Sequence, residues 1–266
     1  MKSRNCIPLD TPELTTRIAG GKAAALASLM AAGAPVPAGF VVPAGTTHAS
    51  VDARQTDILA SFDALDARFV AVRSSAVAED GTHASWAGQL ETVLGVTRTT
   101  LIDAIHACLN SATSDHATAY AKLHHSAGEV AVIVQQLVQA RVAGVMFTAN
   151  PVTGDTNQLC VEAVAGLGET LVQGLATPES WTLAKQEGNV LSHSNPFQPT
   201  QLIIESSGTR EVPNTLEAPY LSAQKLSELV GLGATIEQHF GRPQDIEWVL
   251  EDNQLYILQS RPITTL

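Results

Sequence analysis

Near its end the chain carries Gln244-Asp245-Ile246-Glu247-Trp248 and then Gln259-Ser260-Arg261-Pro262. Carboxylates, an amide and a guanidinium thus sit within two short apolar runs. Ile246 to Leu250 and Leu255 to Gln259 flank polar Glu251-Asp252-Asn253-Gln254, which is a hairpin signal. Side chains alternate between faces with period two, so register decides which groups meet. A three-residue loop, Asp252 to Gln254, places Glu247 opposite Gln259 and Asp245 opposite Arg261. Val249 and Ile257 then share that face, and Trp248, Leu250, Tyr256 and Leu258 face the core. A two-residue turn would put Glu247 and Gln259 on opposite faces, so the odd loop is predicted. Mg²⁺ accepts carboxylate, amide and phosphate oxygens and keeps waters. An arginine holds phosphate through two parallel hydrogen bonds. The ribbon reads either as a metal-bound polyphosphate site or as an edge hairpin with a surface ion pair.

Other segments carry weaker signals. Gly20-Gly21-Lys22 opens a helix, where backbone N–H groups attract anions and Lys22 adds a point charge. It is no Walker A loop, because the glycine spacing and the following Ser/Thr are missing. Arg73, at the end of the buried run Val70 to Arg73, needs a carboxylate or a ligand phosphate as partner. Ser85-Trp86-Ala87-Gly88-Gln89 with Thr92 offers hydroxyls and backbone N–H groups, as either a phosphate-covering loop or a plain surface loop. Gln135-Gln136-Leu137-Val138 ends a strand, with backbone groups to offer a purine edge or simply to terminate the strand. Glu169, after Gly166-Leu167-Gly168, can bind ribose hydroxyls or cap the segment after it. His116, in Thr113-Ser114-Asp115-His116-Ala117, lies within a helical pattern and reads as a solvated helix residue rather than a phosphate acceptor.

The elements that must position these groups are helices over 21–31, 57–68, 101–123 and 221–240. Strands are predicted over 40–42, 70–73, 130–136, 144–148 and 159–164, with irregular or exposed strands in 186–215. Helices and strands mixed without strict alternation indicate an α+β fold.

Composition narrows the class. A chain of 266 residues with 45% hydrophobic and 15% charged content suits one large domain or two small ones. A net charge of -11 argues against nucleic-acid or anionic-membrane surfaces, though not against a small anionic ligand. No apolar run is long enough to span a bilayer, and no signal core follows Met1-Lys2-Ser3-Arg4. Cys6, Cys108 and Cys160 form neither a zinc pattern nor a disulfide framework, which fits a reducing, cytoplasmic setting.

Taken in order, the motifs resemble one family. They run Gly20-Gly21-Lys22, Pro35-Val36-Pro37-Ala38-Gly39-Phe40, Val72-Arg73-Ser74-Ser75-Ala76 with Glu79-Asp80, and Ser85 to Thr92. Val134-Gln135-Gln136, Gly144 to Pro151, Gly166-Leu167-Gly168-Glu169, Asp245 to Trp248 and Gln259 to Pro262 continue the series. This resembles the ATP-grasp nucleotide-binding domain of phosphoenolpyruvate synthase, pyruvate phosphate dikinase and rifampicin phosphotransferase. The resemblance implies two lobes, 1–128 and 129–266, with the nucleotide in the cleft between them. It implies that Lys22, Arg73 and Arg261 bind the ATP phosphates and act in catalysis, and that Glu247 and Gln259 hold Mg²⁺. Gln135, Gln136, Leu137 and Val138 would line the adenine pocket, with Glu169 near the ribose and Gly88 and Thr92 in the phosphate-covering loop. The Ser-x-Ala-Gly-Gln form is closer to the synthase and rifampicin-enzyme type, which use water as second acceptor and release AMP and phosphate.

The chain departs from the family at Trp86, where Phe is usual, and in a short segment between Val42 and Val70. The phosphate-carrying histidine domain and the acceptor-binding domain of the family are expected on a partner rather than within these residues. Three functions are compatible with the resemblance. One is a Mg·ATP-dependent phosphotransferase subunit that passes phosphate to a histidine on a partner. The second is a free-standing kinase acting directly on a small molecule. The third is a nucleotide-binding regulatory module without turnover, against which the complete set Lys22, Arg73, Glu247, Gln259 and Arg261 argues. No nucleic acid or membrane partner is expected.

Overall fold

Alternation of side chains in Val70–Ala76 sets the first part of the fold. Val70, Val72 and Ala76 point into an apolar core, while Ala71, Arg73 and Ser75 point the other way. A computed structural model describes residues 6–12, 14–77, 91–111, 129–205, 208–264 and 266. By contacts the chain divides into two units. The first comprises Met1–Ala31, Pro37–Leu137 and Ser206–Gly208, and the second Ala32–Val36, Val138–Glu205 and Thr209–Leu266.

The first unit is built on five strands in the order β1-β2-β5-β3-β4. These are β1 (Ile7–Pro8), β2 (Gly39–Val42), β3 (Val70–Ala76), β4 (Thr92–Val96) and β5 (Val130–Gln136). Strand β5 pairs with β2 and β3, so by contacts the run Pro37–Leu137 belongs to this unit. Helices α2 (His48–Ala53), α3 (Gln55–Asp63) and α4 (Leu101–Ser111) cover the Val70 face with Val51, Ile58, Phe62 and Ile105. Helix α1 (Thr16–Ala31) lies on the opposite face, where its Ala23 N–H donates to Ser75 Oγ. Strand β4 was not anticipated. Gly95 at φ 69 interrupts its alternation, and Thr92 read as loop. The expected 101–123 helix is seen to Ser111; residues 112–128, with Asp115 and His116, lie outside the described residues.

The second unit holds a six-stranded sheet in the order β13-β12-β6-β7-β8-β9. Its strands are β6 (Val142–Phe147), β7 (Gln158–Ala165), β8 (Glu179–Ala184), β9 (Val190–Ser194), β12 (Gln244–Glu251) and β13 (Gln254–Pro262). Short α5 (Glu169–Val172) follows β7, and β10 (Thr200–Glu205) and β11 (Gly208–Pro213) form a separate ribbon within 186–215. Helix α6 (Ala223–Phe240) covers one sheet face. Gly233 brings it against Met146, and a Cβ there would meet the Met146 thioether at 2.9 Å. Trp248 lies on the same face, fully buried, over Gly144, where any Cβ would overlap its indole.

Candidate functional site

In the first unit, a kink at Gly20 within α1 sets the position of Lys22. Gly20 adopts φ 75, and a Cβ on it would overlap the Ser75 carbonyl oxygen. Only glycine permits both the left-handed conformation and this close approach. The helix proper therefore starts at Gly21, as expected, and the Lys22 ammonium donates to Ser74 O at 3.4 Å. Arg73, 9% exposed, sits on the Ser75 side of the sheet directly across from Thr92 on β4. The structure thus brings Arg73 and Thr92 together on adjacent strands. Gly88 lies outside the described residues.

The glutamines expected at a base pocket are already engaged. Gln135 is buried and its amide donates to Pro37 O at 3.1 Å. The Gln136 amide donates to Leu65 O at 2.7 Å. Both side chains support the first sheet, so any contact of these two residues with a base would be through their backbone groups. Leu137 donates its N–H to Phe69 O, and with it the first unit ends. Val138, by contrast, joins an apolar cluster in the second unit with Ala143 and Val249.

In the second unit the hairpin brings its polar groups to one face, by a route the sequence did not foretell. Glu247 pairs with Gln259 and Asp245 with Arg261, as expected. The turn, however, is the two-residue Asp252-Asn253, since Glu251 pairs with Gln254. A register shift between Glu247 and Trp248 leaves Leu258 as an extra residue on β13. Such a bulge restores the parity that a two-residue turn would break. It also exchanges neighbours: Ile257 pairs with Trp248, and Tyr256 with Val249. Ile257 therefore goes to the core, fully buried, while Tyr256 and Leu258 pack with Val249, the reverse of the expectation.

Arg261 is held by Asp245, whose Oδ2 accepts from Nε at 2.8 Å and lies 2.8 Å from Nη2 in an ion pair. Burial pushes the Asp245 carboxyl above its usual range; Arg261 pulls it down and Glu247 pushes it up again. Sequence reasoning missed Glu162. Val145 pairs with both Glu247 and Glu162, so all three share a face. Burial raises the Glu162 carboxyl too, and Asp245 adds to it. The signal was present in Gln158-x-Cys160-x-Glu162, a polar alternation within a strand. Glu169 opens α5, and burial raises its carboxyl as well.

One face of this sheet thus carries two kinds of surface. Buried Val138, Ala143 and Val249, with half-buried Tyr256 and Leu258 packed on them, form an apolar end. Glu247, Gln259, Asp245, Glu162 and Arg261 form a polar one. Three carboxylates against a single guanidinium leave an excess of negative charge. A polyphosphate meets that excess only with a cation, and the carboxylate and amide oxygens of Glu247 and Gln259 are donors that suit Mg²⁺. An apolar cluster beside such groups suits a nucleotide in its two parts, base and phosphates.

An apolar cluster with adjoining acid, amide and guanidinium suits a nucleotide-binding class. The chain belongs to the family of the pyruvate phosphate dikinase AMP/ATP-binding domain, which matches residues 51–266. It is 42% identical to a rifampicin phosphotransferase of a Streptomyces species over 74% of this chain and 23% of that protein. It is 35% identical to a probable phosphoenolpyruvate synthase of Methanothermobacter thermautotrophicus over 94% of this chain and 44% of that one. A phosphoenolpyruvate synthase of Pyrococcus furiosus is 40% identical over 74% of this chain and 26% of its own length. The chain therefore spans less than half of these relatives. None of the described helices is long and apolar enough to cross a membrane.

Proposed function

We propose that the chain binds Mg·ATP and serves as the nucleotide-binding part of a dikinase-type phosphotransferase. It passes one phosphoryl group of ATP to a histidine on a separate domain or partner and the other to water, leaving AMP and phosphate as products, in a cytoplasmic setting. The observation that carries this reading is the second unit's sheet face, apolar at Val249 and Leu258 and polar at Glu247 and Gln259. Family membership supports ATP as the nucleotide.

In this reading Val138, Ala143, Val249 and Leu258 receive the base, and Glu169 meets the ribose. Glu247 and Gln259 hold Mg²⁺, which supplies charge neutralisation at the phosphates. Arg261, fixed in direction by Asp245, holds phosphate oxygens as a planar fork. From the family resemblance, Lys22, Arg73, Gly88 and Thr92 are also proposed to bind phosphate. No side chain forms a covalent bond to the nucleotide. Catalysis is positioning and charge stabilisation, as is usual in phosphoryl transfer.

Phosphorus NMR of the chain with Mg·ATP, alone and with phosphohistidine-domain proteins of the synthase type, tests this. AMP and phosphate appearing only with such a partner is the expected result. ADP with a phosphorylated small molecule would replace the reading by a direct kinase. Binding without turnover under every condition would leave a regulatory module.

A further inference from the structure

The hairpin turn is Asp252-Asn253, without glycine, yet Asp252 adopts φ 50. Two-residue hairpin turns require positive φ, which a residue with a Cβ adopts at a cost. Asp and Asn tolerate this conformation better than other residues with a Cβ but less freely than glycine, so a hydrogen bond from outside can decide whether the turn forms. The candidate is Lys225, near the start of α6, only 8% exposed. Its ammonium donates to Asn253 O at 2.6 Å and to Glu228 Oε2 at 2.7 Å. A buried ammonium that spends one of its hydrogen bonds on a turn carbonyl fixes the position of that turn.

Two further anchors complete the mounting. At the bulge, Ile257 N–H donates to Pro35 O at 2.8 Å. At the base, Gln244 N–H donates to Thr148 Oγ1 and Ser260 Oγ donates to Gln244 Oε1. Tip, bulge and base are thus each tied to a different segment. The bulge makes this necessary. A two-residue turn alone would separate Glu247 from Gln259, so turn and bulge must occur together. A wider turn with no bulge would exchange Tyr256 for Ile257 beside Val249.

We propose that Lys225 is a positioning residue for the nucleotide site: by holding Asn253 O it selects the two-residue turn, and so the bulged register that sets Gln259 opposite Glu247 and Tyr256 and Leu258 beside Val249. The proposal rests on the reading of that face as the Mg·ATP site. Lys225 touches no substrate, and acts through the hairpin alone.

The test uses the full chain and two readouts. Amide hydrogen exchange across 248–258 reports the hairpin without ligand, and calorimetric titration with Mg·ATP reports the site. Lys225→Met is expected to speed hairpin exchange and to weaken Mg·ATP, each by roughly tenfold, the scale of a lost hydrogen bond to a charged group. Lys225→Met combined with Asp252→Gly is expected to recover most of both, because glycine takes positive φ freely. A packing role for Lys225 would not be rescued by a glycine in the turn. Should Lys225→Met fail to fold, Lys225→Arg with and without Asp252→Gly carries the same comparison. Unchanged exchange and affinity in a folded Lys225 variant, or no rescue by Asp252→Gly, would overturn the proposal. Wild-type chain that fails to bind Mg·ATP would instead overturn the site reading, and this role with it, whatever the exchange rates.

Discussion

Glu247 lies directly across the ladder from Gln259, although the turn joining their strands has only two residues. The extra residue at Leu258 reconciles the two facts. This bulge also moves Ile257 into the core beside Trp248 and leaves Leu258 next to Val249. The same irregularity therefore sets the acid–amide pair and the apolar patch beside it. A nucleotide needs both.

The apolar patch, rather than the two glutamine side chains, is expected to matter for the base. Leu258→Ala should weaken ATP several-fold while binding still depends on Mg²⁺. Gln136→Ala should leave affinity unchanged and lower stability by about 1 kcal/mol, since its amide serves Leu65 O. Titration calorimetry and urea unfolding read the two effects separately.

Gly20→Ala is expected to destabilise the first unit by about 2 kcal/mol or more. The substitution forces φ 75 on a residue with a Cβ and drives that Cβ into the Ser75 carbonyl. Urea unfolding should show a lower midpoint. The Lys22 position should shift with it, and ATP affinity should fall more than in a variant of equal stability loss elsewhere.

Glu162 gives a pH-dependent signature. Its folded carboxyl titrates above the ordinary glutamate range because burial disfavours the charge and Asp245 adds repulsion. A raised acid contributes stability that is fully present below the ordinary glutamate range and lost as pH rises through its folded value. Glu162→Gln should therefore be more stable than wild type at neutral pH. Its advantage should vanish toward pH 4, about the ordinary glutamate value. Thermal melts without nucleotide across that range would show it, and an advantage that grew on acidification would contradict the sign.

How much of this was legible beforehand is seen at particular residues. Cross-strand partners Glu247–Gln259 and Asp245–Arg261 were readable, because apolar runs and turn residues bracket them. The turn size was not, since a regular period of two contains no bulge. Gln135 and Gln136 stood at the expected strand end, but their use by Pro37 O and Leu65 O depends on segments far away in sequence. Glu162 was hidden for a related reason. Its strand reads as buried, and its neighbours on the face come from β6 and β12. Strand β4 escaped because Thr92 and Gly95 mimic a loop. Family membership was legible because it rests on the order of many short motifs, each weak alone.

The most direct measurement is calorimetric titration of ATP into wild type and Glu247→Ala, each with Mg²⁺ and with EDTA. Wild type should bind saturably with Mg²⁺ and lose at least about tenfold in affinity under EDTA, as expected for phosphates facing excess carboxylate. Glu247→Ala should lose the Mg²⁺ dependence together with most of the affinity. Equal affinity of wild type and Glu247→Ala, with Mg²⁺ making no difference to either, would contradict a metal–nucleotide site on this face.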